Sequence, residues 1–322
     1  MAHDISNVNG WDEAFFALQP AWHGLGTVLD YAPTSEDAIR AAHLDWTVEM
    51  QPIQTKSGVE IADQFATVRN DCNAVLGVVG GRYKIVQNRE AFDFLDSLLQ
   101  DGVMKYESAG ALRGGRIVWL LARLPSVDEI APGDNSQRYI LFSTSHDGSA
   151  AIHAIPTSVR VVCANTLRIA TADDVGFRHT GNVQEKLEFA RKYLSQFDEK
   201  FSLYRDKARI LAERRYTPAQ AEEYINTLFP AVAKSDSKRG YAIRENKVEL
   251  VRANFRNGRQ RLPAIAGSFW ALFNAVTESV DHPPKSTKLD AAGRETRMLS
   301  LVDGNGADFK ARAFDVALQM AS

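Results

Sequence analysis

Three neighbouring residues, Ser145-His146-Asp147, have the types of a nucleophile, a base and an orienting acid. Adjacent residues on a strand face alternate sides, so these three cannot form the hydrogen-bond chain that a triad needs. With Gly148 next, the run reads as a turn in which Asp147 bonds its own backbone. His146, Asp147 and His153 are also candidate metal ligands, provided that a hairpin brings them together with open coordination positions. Cys163 sits in an apolar run near Arg160 and Arg168. A buried structural cysteine is the plainer reading there, and a thiol of lowered pKa the sharper one. No P-loop, dinucleotide fingerprint, nucleophile elbow or HExxH pattern is present. The sequence displays no catalytic site and points to no cofactor.

A second set of residues suits binding. Arg82 and Lys84 follow Gly80-Gly81, and Arg113 and Arg116 bracket Gly114-Gly115. Glycine lets a backbone approach phosphate closely, and arginine supplies a fork of donors. Tyr83 and Trp119 are either rings for stacking on unpaired bases or core aromatics beside solubilising charges. Arg178 and His179 precede a helix start, where an anion is favoured.

Charge is unevenly spread. Between Lys238 and Leu262 eight cations (Lys238, Arg239, Arg244, Lys247, Arg252, Arg256, Arg259 and Arg261) stand against two acids, a local charge of +6. Residues 1–60 hold nine acids and two cations, a local charge of −7. The net −2 over 322 residues is therefore a near-cancellation. The two regions are either solvated faces, free or docked on one another, or a basic surface for phosphate set against an acidic one.

The elements that must position these residues fall into two halves. In the first, Thr34-Ser35-Glu36-Asp37 starts a short helix reaching about His43. Val59–Arg69 and Ala74–Val79 read as strands, and Gly80-Gly81 turns the second into Tyr83–Gln87. Asn88 caps a helix from Arg89 to about Gln100. Met104–Leu112 and Arg116–Leu124 form a hairpin around Gly114-Gly115, and Arg138–Ser145 and Ala150–Ile155 another around Asp147-Gly148. Pro156 ends that strand or sets it at an edge. Val159–Ala170 reads as a strand running into a helix. The first thirty residues form no regular element, and Trp11, Phe15, Phe16 and Trp22 dock this arm on the body.

From Asn182 the pattern turns helical. Val183, Leu187, Ala190, Leu194, Phe197, Phe201, Tyr204, Ala208 and Leu211 recur at alternating spacings of four and three, a heptad seam. It lies on the protein's own body or serves self-association. Thr217-Pro218 with Gln220 starts a further helix, and Val248–Arg256, Ala264–Val280 and Asp308–Met320 follow. The expected fold is α+β: an antiparallel, hairpin-built sheet with a packed helix (1–180, including the N-terminal arm), then a helical half (181–322) with one long heptad-patterned helix. The two halves are expected to behave as one cooperative unit.

Composition excludes several classes. The 45% hydrophobic and 24% charged residues are those of a soluble globular protein. No run approaches the roughly 20 apolar residues of a membrane span, and no secretory signal opens the chain. Two cysteines, Cys72 and Cys163, make no disulfide framework, so the cytoplasm is expected.

Seven stretches in chain order carry a resemblance: WHGLGT (Trp22–Thr27), GRYKIVQNREAFDFLD (Gly81–Asp96), ESAGALRGGRIVWLLARLP (Glu107–Pro125), STSHDGSAAI (Ser143–Ile152), VRVVCANTL (Val159–Leu167), RHTGN (Arg178–Asn182) and AVTESVDH (Ala275–His282). The chain resembles the domain of unknown function 932 family of phage- and plasmid-like proteins. That resemblance implies residence on mobile elements but carries over no catalytic residues. The element order is also similar to that of strand-annealing recombinases, which hold single-stranded DNA in a basic groove. The leading expectation is a non-catalytic protein that binds or anneals single-stranded nucleic acid, with a homo-oligomer possible. The alternatives are an inhibitor of a host factor acting through the acidic N-terminal surface, and a metal-dependent enzyme using His146, Asp147 and His153.

Overall fold

The computed structural model describes residues 5–18, 25–96, 105–160, 165–168, 175–177, 179, 197–257, 262–281 and 305–322. Glycine turns build its main sheet. The strands β8 (Lys105–Leu112) and β9 (Ile117–Ala131) are joined through Arg113–Gly115, and β10 (Asp134–Ser145) and β11 (Ile152–Arg160) through Asp147-Gly148. Pro132-Gly133 joins β9 to β10, a turn unread in the sequence because β9 and β10 continue well past their most apolar stretches. The full order is β12-β11-β10-β9-β8-β3-β4, with β13 (Val175–Phe177) beside β11. All its pairings are antiparallel except β3 (Ala14–Ala17) with β4 (Thr27–Leu29). A ribbon of β1 (Asn7–Val8) and β2 (Trp11–Asp12) precedes them. A second sheet holds β5 (Val48–Gln54), β6 (Glu60–Arg69) and β7 (Val75–Gly80).

Several expectations are corrected. The N-terminal segment is not irregular: β3 lies inside the main sheet, with Phe15 fully buried, whereas Trp11 is exposed. Tyr83–Gln87 is not a strand, because the Gln87 side chain does the pairing. Its amide accepts from Val48 N–H at 3.0 Å and donates to Val48 C=O at 2.9 Å, covering the start of the β5 edge. β12 (Asn165–Arg168) is a strand rather than a helix, held by its ladder to β11. Pro156 lies within β11, opposite Ile140 of β10, at the gap between the residues paired with β13 and those paired with β12, so on that side a missing N–H costs no bond.

The helices follow their caps. In α1 (Ser35–Ala41), Thr34 and Asp37 form a full capping box. In α2 (Asn88–Asp96) the Glu90 carboxylate accepts from Gln87 N–H. The Asn88 side chain does not cap; it is buried and bonded elsewhere. The described part of the heptad region is α3 (Phe197–Glu213), with Phe197, Phe201, Tyr204, Ala208 and Leu211 buried in the protein's own core. The seam from Val183 to Leu194 lies outside the described residues. Next come α4 (Pro218–Leu228), with its Thr217–Gln220 box, α5 (Lys238–Asn257), α6 (Phe269–Asp281) and α7 (Asn305–Ala321). α5 begins ten residues before the expected Val248. Ser237 Oγ accepts from Gly240 N–H, and the added turns are solvent-facing, so they carry no apolar rhythm.

One apolar core runs from Phe15 to Ala321 through sheet and helices. α3 packs on β9, α6 and α7, and α6 and α7 reach β12. Buried polar pins add direction. Trp270 Nε1–H donates to Asp134 at 2.7 Å, and Arg138 forks onto Asp128 at 2.7 Å while reaching Asp198 at 3.0 Å. Among the described residues no helix is long and apolar enough to cross a membrane.

Candidate nucleic-acid interface

The two glycine turns that carry cations end up side by side, through two consecutive residues of β10 and its turn. The Tyr83 hydroxyl donates to Ser145 C=O at 2.5 Å, and His146 N–H donates to Arg116 C=O at 2.7 Å. Ser145 therefore anchors the Arg82–Lys84 loop, and His146 anchors the Arg113–Arg116 turn. Arg82, Lys84 and Arg116 are exposed and have no ion pair among the described residues. Arg113 is half-buried. Two acids share this end, and each accepts a backbone N–H: Asp63 from Gly81 and Asp147 from Ser149.

Each turn has its own support. Arg113, Gly114 and Gly115 have φ of 58°, 67° and 97°, three left-handed residues in succession. Such a turn is costly for Arg113 and suits glycine at the next two positions. Arg69, fully buried, braces it. Its five N–H donors all find acceptors: Glu13 at 2.6 and 3.0 Å, Asp71 at 2.6 and 3.0 Å, and Gly114 C=O at 3.2 Å. The guanidinium also lies 4.0 Å over the Trp46 ring. Ser6 Oγ accepts from Gly115 N–H, which ties the N-terminal segment to the same turn.

Behind the turns lies a buried histidine pair. His179 exchanges two bonds with Lys84: Lys84 N–H donates to His179 C=O at 2.7 Å, and His179 Nδ1 to Lys84 C=O at 2.9 Å. A carbonyl only accepts, so Nδ1 carries a proton, while Nε2 lies 3.3 Å from the Thr144 hydroxyl. The His146 ring meets Trp46 edge-on and bonds Asn88 Oδ1 through Nε2 at 3.0 Å. Asn88 in turn donates to Leu44 C=O. Burial, followed by the nearby His179 and Arg69, lowers the His146 pKa to about 3.

The remaining expected site residues separate. Tyr83 is buried, stacked on His179 at 4.7 Å, and Trp119 is buried against Phe16, so neither ring is open to a base. Packing claims both, because the apolar area of an aromatic ring outweighs what its polar edge gains from water. His146, Asp147 and His153 do not converge: His146 points at Asn88, Asp147 closes its turn, and His153 pairs with Ser143 on β10. No cluster of metal-binding type occurs among the described residues. In α5, Arg244, Arg252 and Arg256 pair with Glu245, Glu222 and Glu249, which leaves Lys238, Arg239 and Lys247 exposed. Cys163, Arg178, Arg259 and Arg261 lie outside the described residues. Glu13, Trp46 and Arg69 escaped the sequence reading, and Asn88 was read only as a helix cap; the one available hint was a lone arginine closing a strand two residues before an acid.

No curated protein matches the chain, and no solved structure matches it. A family model matches residues 75–302, from β7 through the Arg82, Arg116 and His146 turns and into the helical half. The chain belongs to the family described as Domain of unknown function (DUF932).

Proposed function

We propose that the protein binds nucleic acid through phosphate contacts at the turn end of the main sheet. The observation that carries this reading is the pairing of Tyr83 with Ser145 and of His146 with Arg116, which holds Arg82, Lys84 and Arg116 together and without acid partners. A fixed group of unpaired cations around glycine backbone suits a polyanion, and arginine suits the phosphate fork. Without open aromatic rings, such a site grips backbone rather than bases, so its sequence preference is weak. Single strands in the DNA metabolism of a phage or plasmid are the substrate we favour, on the family resemblance. The acidic N-terminal surface is a poorer docking face for a host factor. Glu13 is spent on Arg69, Glu36 on Arg40 and Arg89, and Asp37 on its cap.

The test is fluorescence anisotropy with a labelled single-stranded oligonucleotide over a salt series. Affinity that falls with salt supports the reading, because phosphate contacts release counterions. Binding weaker than millimolar at low salt removes it.

A further inference from the structure

The β5–β6 hairpin leaves the body as an arm. Every residue from 51 to 64 is exposed except Ile53, which is half-buried. The tip is nonetheless well formed: Gly58 N–H donates to Thr55 C=O at 2.9 Å, and Thr55 N–H to Val59 C=O at 2.8 Å. Two strands alone are marginal in water, and this ribbon exposes Val59 by 63% and Ile61 by 41%. Its charges are Glu49 at the root, Lys56, Glu60 and Asp63, an acidic balance. The outward half of α5 has the opposite balance around the same kind of apolar centre. Tyr241 (37%) and Ile243 (47%) are exposed among Lys238, Arg239 and Lys247, none of which has an ion pair among the described residues. Lys238 and Arg239 also sit in the first turn of the helix, at the positive end of its dipole, with Asp236 just outside the helix, so their placement does not serve the helix itself.

We propose that the arm of one copy docks on the outward face of α5 in the next copy. Lengths agree: about six residues of strand span roughly 20 Å, and about ten residues of helix span roughly 15 Å. The two patches are different surfaces, so the contact is head-to-tail and propagates into a ring or an open chain. An apolar and acidic arm favours a protein surface of this composition over a polyanion as the occupant of α5.

The test uses the full chain, without nucleic acid, followed by light scattering. Wild type assembles in low salt and dissociates in high salt. Glu49→Lys with Glu60→Lys makes the arm basic, and Lys238→Glu, Arg239→Glu and Lys247→Glu make the helix acidic; each variant alone is monomeric. Mixed one to one, the two variants assemble again, because each reversed surface finds its complement in the other. All five positions are exposed, and circular dichroism confirms that both variants fold. Monomeric wild type at 100 µM, assembly that survives both variants, or a mixture that stays monomeric overturns the proposal. So does assembly that appears only with oligonucleotide and responds to α5 alone, the outcome expected if α5 contacts nucleic acid. None of these results bears on the turn-end site, whose cations are untouched.

Discussion

The Tyr83 hydroxyl donates to the Ser145 carbonyl at 2.5 Å while its ring lies 4.7 Å from that of His179. One side chain thus fixes the Arg82–Lys84 loop to the end of β10 and to the residue that pairs with Lys84. Burial holds the phenol well above its ordinary pKa, so it remains a donor throughout the working range of pH. Tyr83→Phe strands the Ser145 carbonyl and is expected to cost about 1–3 kcal/mol. Urea denaturation measures this. If Tyr83 instead stacks on bases, the variant keeps its stability and Tyr83→Ala loses base-dependent affinity alone.

The Arg69 brace makes a sharper contrast. Arg69→Ala leaves the Glu13 carboxylate buried without its partner and is expected to cost about 3–5 kcal/mol. Gly115→Ala places a methyl 2.8 Å from Arg69 Nη1 at a φ of 97°, so it perturbs the same brace. Gly114→Ala meets nothing within 4 Å and bears only the left-handed strain, about 1–2 kcal/mol. Thermal unfolding should rank Gly115→Ala well below Gly114→Ala. Equal effects would mean that backbone strain alone governs the turn.

Stability should fall in mild acid. His146 has a folded pKa of about 3 and an unfolded value near 6.5, so between these the unfolded chain takes up a proton that the folded chain refuses. Its contribution is therefore intact above pH 6.5 and lost as pH drops, by about 2 kcal/mol at pH 5. His146→Gln keeps a donor for Asn88 without the titration. Denaturation at pH 7.5 and pH 5 should show a smaller loss in the variant than in wild type; an identical loss contradicts burial of the neutral ring.

The β6–β7, β8–β9 and β10–β11 hairpins and the Thr34 and Thr217 caps were legible because each rests on residues within a few positions of one another. Gly114-Gly115 and Asp147-Gly148 announced their turns for the same reason. What was hidden depends on long-range partners. Gln87 replaces a strand only because Val48 lies beside it, and Asn88 abandons its cap for Leu44 and His146. The site was half legible. Its cations were visible beside their glycines, but Glu13 and Arg69 stand 56 residues apart in sequence, and no local pattern joins them. Tyr83 and Trp119 misled because an aromatic beside a charge has the same local signature in a core as in a binding face.

In the proposed function Arg82, Lys84 and Arg116 act as one phosphate-binding group. The most direct measurement compares the salt dependence of oligonucleotide binding in wild type and in the triple variant Arg82→Ala, Lys84→Ala, Arg116→Ala. Each phosphate neutralised on a single strand contributes about 0.7 to the slope of log K against log salt. The variant should keep its folding stability and lose about 2 from that slope, with weaker binding at every salt concentration. An unchanged slope, with affinity retained, would contradict the account.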